Sequence, residues 1–136
     1  MIPDAEAVIT RHLNTALTAL AVKVRGRTPG NTVDPWVRLT LLDAPATDGS
    51  VTDHLVAAYV QLDCFAGKVP DADSPQEDAS LIARTARAAL ATIADSDHEG
   101  ATVTGCRIDG YTRLPDTEFE PARERYVLTA TVWMHG

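Results

Sequence analysis

HLVAAYVQLDCF, residues His54–Phe65, is the stretch that decides the fold, because its side chains alternate in character along its whole length. Alternation with a period of two is the pattern of a β-strand, whose successive side chains point to opposite faces of a sheet. One set of positions is apolar throughout: Val56, Ala58, Val60, Leu62 and Cys64. The other set is mixed: Leu55, Ala57, Tyr59, Gln61, Asp63 and Phe65. The stretch therefore predicts a central strand with one face in the core.

Four further stretches predict the neighbours of this strand in the sheet. Trp36–Asp43 (WVRLTLLD) and Arg125–His135 (RYVLTATVWMH) alternate in the same way. Val22–Arg27 is a shorter candidate, and Ala101–Tyr111 is irregular, with Gly105 at an expected bulge or close backbone approach. The sequence thus predicts about five strands.

Two segments carry the spacing of amphipathic helices. In Asp4–Leu20, apolar residues recur three and four positions apart, and Asp4 supplies a helix-start signal. Ser74–Ala94 begins with a capping box, in which Ser74 is the N-cap and Glu77 follows three residues later. We expect both helices to share one core with the strands, formed by Ile9, Leu13, Leu17, Val60, Leu62, Ile82, Ala86, Ile93, Leu128 and Val132.

These elements predict an α+β fold in the order α-β-β-β-α-β-β. The expected architecture is a mostly antiparallel sheet of about five strands with two helices packed on one face. The connecting segments are polar and rich in turn residues, as in Ala44–Asp53 and Gly67–Asp73. No internal repeat or long linker divides the chain, so residues 1–136 are expected to form one domain.

The charge of the chain is acidic and unevenly distributed. The 12 basic and 19 acidic residues give a formal net charge of −7. Residues 1–68 hold 6 basic and 7 acidic side chains, whereas residues 69–136 hold 6 and 12. The first half nevertheless contains a small basic cluster, Lys23, Arg25 and Arg27. This pattern fits either a solvated surface or two surfaces of opposite sign that meet when copies of the chain assemble.

The same composition argues against two classes of protein. A net negative charge is unsuited to a protein whose main task is to grip nucleic acid phosphates. No run reaches the roughly 18 apolar residues of a membrane span, and no basic-then-apolar leader begins the sequence. We therefore expect a protein that is cytosolic, or is assembled in a cytosol, and that does not enter a membrane.

A search for catalytic or metal-binding residues identifies no constellation. The four histidines share no zinc-site spacing: His12, His54, His98 and His135. Asp95–Glu99 (DSDHE) has acidic spacing but lacks the glycine and distant glutamate of a calcium loop, so it is interpreted as an acidic loop that ends the second helix. Cys64 and Cys106 lie in predicted strands and are expected to be small buried residues rather than reactive thiols. The sequence predicts no catalytic residue, no cofactor and no metal.

The second face of the sheet is more informative. It is expected to carry Leu55, Ala57, Tyr59 and Phe65 on the central strand and Val127 and Trp133 on the last one. If these strands lie together, their side chains form an apolar patch that a partner covers. The alternatives are scattered exposure of single residues and the core of a closed barrel.

Four segments, in order along the chain, resemble the tail terminator, or minor tail, proteins of long-tailed phages of actinobacteria. They are IPDAEAVI in the first helix, VQLDCFAG at Val60–Gly67, ARTARAAL at Ala83–Leu90 and LPDTEFEPARERYVLTATVWMHG at Leu114–Gly136. Such proteins run from an N-terminal helix through a V-Q-[LIV]-D strand and a second helix to a P-D loop and a final R-Y-V strand. Cys64 stands where they have valine or a similar apolar residue, which is a harmless change in a buried strand.

The resemblance implies a structural virion protein rather than an enzyme. Its expected role is to form a homohexameric ring that caps the head-proximal end of the tail tube, stops its polymerisation and joins it to the head. The implied partners are further copies of the chain, the major tail tube protein and neck or head-completion proteins, while phage DNA only passes through the lumen. The implied location is the tail of the virion, with the host cytoplasm as the place of assembly.

The basic cluster and the aromatic second face together give the expected contact residues. They are Lys23, Arg25, Arg27, Trp36, Tyr59, Phe65 and Trp133. Two alternative functions remain open at this point. One is a neck or head-completion protein of the same particle, and the other is a small binding module or enzyme of the host.

Overall fold

The computed structural model describes seven stretches of the chain, residues 4–20, 22–26, 36–43, 55–65, 75–98, 101–114 and 124–135. They contain the helices α1 (Ala5–Leu17) and α2 (Pro75–Ala91), with a 3-10 turn at Thr18–Leu20 after α1. The strands are β1 (Lys23–Arg25), β2 (Trp36–Asp43), β3 (Leu55–Phe65), β4 (Asp97–His98), β5 (Ala101–Arg113) and β6 (Arg125–His135).

The strands of the described residues form one mixed sheet in the order β1-β2-β3-β6-β5-β4. β1 runs parallel to β2, and the other pairings are antiparallel. The predicted α+β class, with two helices and a mostly antiparallel sheet, is confirmed. The strand count was too low, because β4 lies where the sequence predicted an acidic loop. A strand of two residues is too short for alternation to reveal it.

The core lies between the helices and one face of the sheet. α1 and α2 contact each other, and both pack on the sheet, α1 against β1 and β2 and α2 against β3 and β6. The predicted core is confirmed, because all of its members are buried in one cluster: Ile9, Leu13, Leu17, Val60, Leu62, Ile82, Ala86, Ile93, Leu128 and Val132. The sheet face that the helices leave uncovered is named the outer face below.

The start of each helix was predicted from capping residues. In α1, the Asp4 side chain accepts a hydrogen bond from the backbone amide of Ala7 at 3.1 Å, which confirms Asp4 as the N-cap. α2 begins at Pro75, in agreement with a proline at the first helical position. The capping box itself includes Ser74, which lies outside the described residues.

β5 departs from regular pairing with β6 at two places. One irregularity lies between Val103 and Gly105 and the other between Ile108 and Gly110. The first confirms the expected bulge at Gly105. Because a bulge adds one residue to one strand of a pair, the spacing of backbone groups along β5 is uneven.

Candidate functional site

Two cross-strand rows on the outer face bring most of the predicted contact residues together. On β1, Val24 is buried in the core and its neighbours Lys23 and Arg25 are exposed, so these two lie on the outer face. The pairing register places Lys23 beside Trp36, Phe65 and Arg125 in succession. The second row runs from Arg25 through Arg38 to Asp63. These seven residues are named the basic patch: Lys23, Arg25, Trp36, Arg38, Asp63, Phe65 and Arg125.

Asp63 is the centre of the basic patch. Its side chain is only 1% exposed and accepts hydrogen bonds from Nε and Nη2 of Arg38, both at 3.3 Å. Nη1 of Arg125 donates to its other oxygen at 3.4 Å, and Nε2 of Gln61 donates at 3.3 Å. A buried carboxylate requires such charged and hydrogen-bonding partners, since burial without them is costly. Asp63 therefore holds two arginines from different strands in fixed positions.

An aromatic pair supports the same two arginines. The rings of Trp36 and Phe65 are stacked, with centroids 4.8 Å apart and an angle of 12° between their planes. The guanidinium groups of Arg38 and Arg125 lie 5.5 and 6.0 Å from the centroid of the Phe65 ring, within cation–π range. Both rings are buried within the chain, so they position the arginines and are not themselves available to a partner.

The basic patch differs in sign from the chain as a whole. Its described residues comprise four cationic side chains and one carboxylate, in a protein of net charge −7. Arg38 and Arg125 retain 31% and 18% of their side-chain exposure, and Lys23 and Arg25 are exposed. Among the described residues, a cluster of partly exposed cations around one carboxylate favours a positive local potential that attracts anionic groups. The arrangement can therefore bind a carboxylate-bearing or otherwise anionic surface.

Tyr59 and Trp133 lie at the other end of the outer face and do not form the predicted apolar patch. Tyr59 is 38% exposed. Trp133 is partly covered by the guanidinium of Arg107, which lies 5.5 Å from its ring centroid. Asp109 binds Nε of Arg107 and the hydroxyl of Thr131, both at 2.6 Å. The predicted exposed apolar patch does not form, because Phe65 is buried and Gln61 and Asp63 lie between it and Tyr59 on the same side of β3.

Asp109 is a charged residue at the end of the outer face that carries Tyr59 and Trp133. The hydrogen bond donated by Thr131, followed by the bond and charge of Arg107, holds the pKa of Asp109 below its usual range. Asp109 therefore remains ionised and keeps Arg107 over Trp133. Of the seven predicted contact residues, the structure groups Lys23, Arg25, Trp36 and Phe65, places Tyr59 and Trp133 apart from them, and Arg27 lies outside the described residues.

Within the part of the chain that the structure describes, the remaining candidates for chemistry do not assemble a reaction centre. Ser96 Oγ lies 2.9 Å from Nε2 of His98 but donates its own proton to the carbonyl of Ile93, so it accepts from the imidazole. Burial raises the pKa of both thiols, that of Cys106 to about 11, and both cysteines are free. Such thiols are poor nucleophiles at neutral pH.

The described residues offer neither a metal site nor a membrane-spanning helix. No group of three or more His, Cys, Asp or Glu side chains among them is arranged to hold a metal ion. Asp97, a member of the acidic segment, instead accepts a hydrogen bond from Thr102 at 2.8 Å across the β4–β5 pair. None of the described helices is long and apolar enough to cross a membrane.

The lowered pKa of His98 predicts that the protein loses stability at acidic pH. Burial, followed by electrostatic interaction with His12 and with Arg11, lowers the pKa of His98, and Asp97 opposes this shift. In the unfolded chain the imidazole takes up its proton at about pH 6.5. Between that pH and the lower folded-state pKa the unfolded state binds more protons, so the free energy of unfolding decreases as the pH falls.

The test compares urea denaturation of the wild type and His98→Gln between about pH 7.5 and about pH 5. Glutamine retains a donor for Ser96 Oγ but does not titrate. The variant is expected to lose less stability than the wild type over this range. Equal losses in the two proteins would contradict the assignment to His98.

No protein-family model matches the chain, and no curated protein is significantly similar to it.

Proposed function

We propose that this chain is the ring-forming tail terminator subunit of a long-tailed phage, which caps the tail tube and joins it to the head. The ordered resemblance of four segments suggests the family. The observation that carries the proposal is the basic patch on an otherwise acidic chain, because it provides one of two surfaces of opposite sign that can meet when identical subunits associate head to tail.

A ring needs a heterologous contact, in which one surface of a subunit meets a different surface of the next. Exposed Lys23 and Arg25 belong to the patch, while exposed carboxylates of Asp95 and Asp97 lie near the opposite edge of the sheet. Complementary charge on the two sides of such a contact favours head-to-tail association and disfavours contact between like surfaces. The proposed contact therefore places the basic patch of one subunit against an acidic surface of its neighbour.

The overall charge suits the proposed task of the ring as well. DNA carries a high density of phosphate charge and must slide through the lumen without being held. The contact between subunits pairs cations with carboxylates, and because the chain has 19 acidic and 12 basic residues, the remaining surface of a ring keeps an excess of carboxylates. Carboxylates repel phosphate, so the DNA passes without a binding site and the ring requires no cofactor.

Deletion of the gene from the phage, followed by electron microscopy of the particles, tests the function directly. We expect overlong tails or tails that are not attached to heads, and expression of the wild-type chain in trans is expected to restore infectious particles. Normal, joined and infectious particles in the deletion strain would overturn the proposal.

The same complementation assay tests the basic patch. Arg25→Glu is expected to reduce the yield of infectious particles at least tenfold, because it reverses one charge of the contact. Arg84→Glu makes the same charge change on α2, on the helix side of the sheet, and is expected to complement like the wild type. Equal complementation by the two variants would remove the basic patch from the subunit contact.

A further inference from the structure

The outer edge of β1 is closed by a side chain of α1. Nδ2 of Asn14 donates to the carbonyl oxygen of Val24 at 3.4 Å, and Oδ1 of Asn14 accepts from the amide of Val24 at 2.8 Å. One side-chain amide thus satisfies both backbone groups of one residue, in the way that a neighbouring strand would.

Val24 is the residue through which β1 would pair with another strand. Backbone groups along a strand point alternately to its two sides, and β1 spans only Lys23–Arg25 with β2 on one side. The two hydrogen bonds to Asn14 show that the backbone amide and carbonyl of Val24 point away from β2, toward the edge of the sheet. An open strand edge is a template for pairing with a second chain, and proteins commonly protect such edges.

A second copy of this chain would meet a further obstacle at the same place. An antiparallel pair of β1 strands centred on Val24 lets the two Val24 residues exchange both hydrogen bonds. In that register Lys23 lies directly opposite Arg25 of the second copy, and Arg25 lies opposite its Lys23. Like charges in directly opposed positions destabilise a strand pair.

The other side of the sheet does not offer a better match to β1. β4 is only two residues long, and β5 beyond it has two pairing irregularities that make the spacing of its backbone groups uneven. The one carboxylate of β5, on Asp109, is already paired with Arg107, so β5 offers no free counter-ion to Lys23 or Arg25. The matched partner for the edge of β1 is therefore β1 of a second copy.

We propose that Asn14, together with Lys23 and Arg25, forms an edge guard that prevents two copies of this chain from pairing through β1. Asn14 occupies the hydrogen-bonding groups of Val24, and the two cations repel their counterparts. This inference goes beyond the proposed ring function, since it concerns an unwanted two-fold contact and holds for the free protein.

The test removes both parts of the guard and measures association by sedimentation velocity. In Asn14→Ala/Lys23→Glu, Val24 is free to pair and the carboxylate introduced at position 23 would face Arg25 of the second copy. We expect this double variant to dimerise at a concentration at least tenfold lower than Lys23→Glu alone, which keeps Asn14 in place. The dimer is expected to weaken with added salt, because opposed charges at the edge contribute to it.

Hydrogen exchange of the Val24 amide shows whether the new contact is at this edge. The amide is expected to be protected in the wild type, exposed in the monomer of the double variant and protected again in its dimer. A double variant with a native circular dichroism spectrum and the same sedimentation as Lys23→Glu would overturn the proposal, as would a dimer with an unprotected Val24 amide.

A second substitution covers the case in which Asn14→Ala unfolds the chain. In Asn14→Asp/Lys23→Glu the aspartate still accepts from the Val24 amide but cannot donate to its carbonyl, so the edge is half closed. We then expect this variant to dimerise at a concentration at least threefold lower than Lys23→Glu. The effect is expected to be smaller than that of Asn14→Ala/Lys23→Glu. No rise in this variant would likewise overturn the proposal.

Discussion

Asp63→Asn is expected to lower the free energy of unfolding by about 3 kcal/mol, although it changes a single carboxylate oxygen into an amide nitrogen. The carboxylate is buried and accepts from Arg38, Arg125 and Gln61. Removal of its charge takes the shared carboxylate away from two partly buried guanidinium groups that lie close together, and the amide nitrogen faces donors. The expected loss lies toward the lower end of the range of losses seen when a buried ion pair is broken, because both arginines keep some contact with water.

Urea denaturation monitored by circular dichroism gives the difference in the free energy of unfolding. Asp109→Asn is the matched control, because Asp109 also lies on the outer face and binds an arginine, but it is 31% exposed. Its substitution is expected to cost about 1 kcal/mol. A loss for Asp63→Asn no larger than that for Asp109→Asn would show that the buried network is not needed for stability.

Leu62→Ala and Leu128→Ala are each expected to cost about 2–5 kcal/mol. The two leucines are cross-strand partners on β3 and β6, and both are fully buried beneath the helices. Truncation removes apolar contact and leaves a cavity that the surrounding strands and helices cannot close completely. Because the two side chains are neighbours, the double variant is expected to deviate from the sum of the single losses.

Leu42→Ala provides the control for the same chemical change at the surface. Leu42 is 55% exposed near the end of β2, so its truncation is expected to change the free energy of unfolding by no more than about 0.5 kcal/mol. Thermal or urea denaturation measures the wild type and the four variants under one condition. Losses of similar size at Leu42 and Leu62 would contradict the register that places Leu62 in the core.

The core and most elements of the fold could be predicted because each leaves a long periodic pattern. Val60 and Leu62 belong to an alternating run that spans the whole of β3, and Leu128 belongs to a similar run in β6. Such runs report which face is buried without any knowledge of the partners. β4 left no such pattern, since Asp97 and His98 are too few for a period and both are polar.

The basic patch could be predicted only in part. The cluster of Lys23 and Arg25 is visible as a local group of charges, whereas Arg38, Asp63 and Arg125 are separated along the chain by 25 and 62 residues. Alternation assigns Arg38 and Asp63 to the outer face, but only the pairing register shows that they are adjacent. Asn14 illustrates the same limit, because nothing in a helical position reveals that its amide will meet the edge of a strand.

The buried position of Asp63 also disfavours misfolded states in which β3 pairs with its neighbours in the wrong register. A one-residue slip of β3 would turn its side chains to the opposite face and carry Asp63 into the apolar layer beneath α1 and α2. There the carboxylate would lose Arg38 and Arg125 and remain without partners, at a cost that apolar residues in the same slip would not impose. The buried charge thus contributes to the specificity of the fold. It adds little to the stability of a compact chain over an unfolded one, but it raises the free energy of compact states in which β3 is out of register.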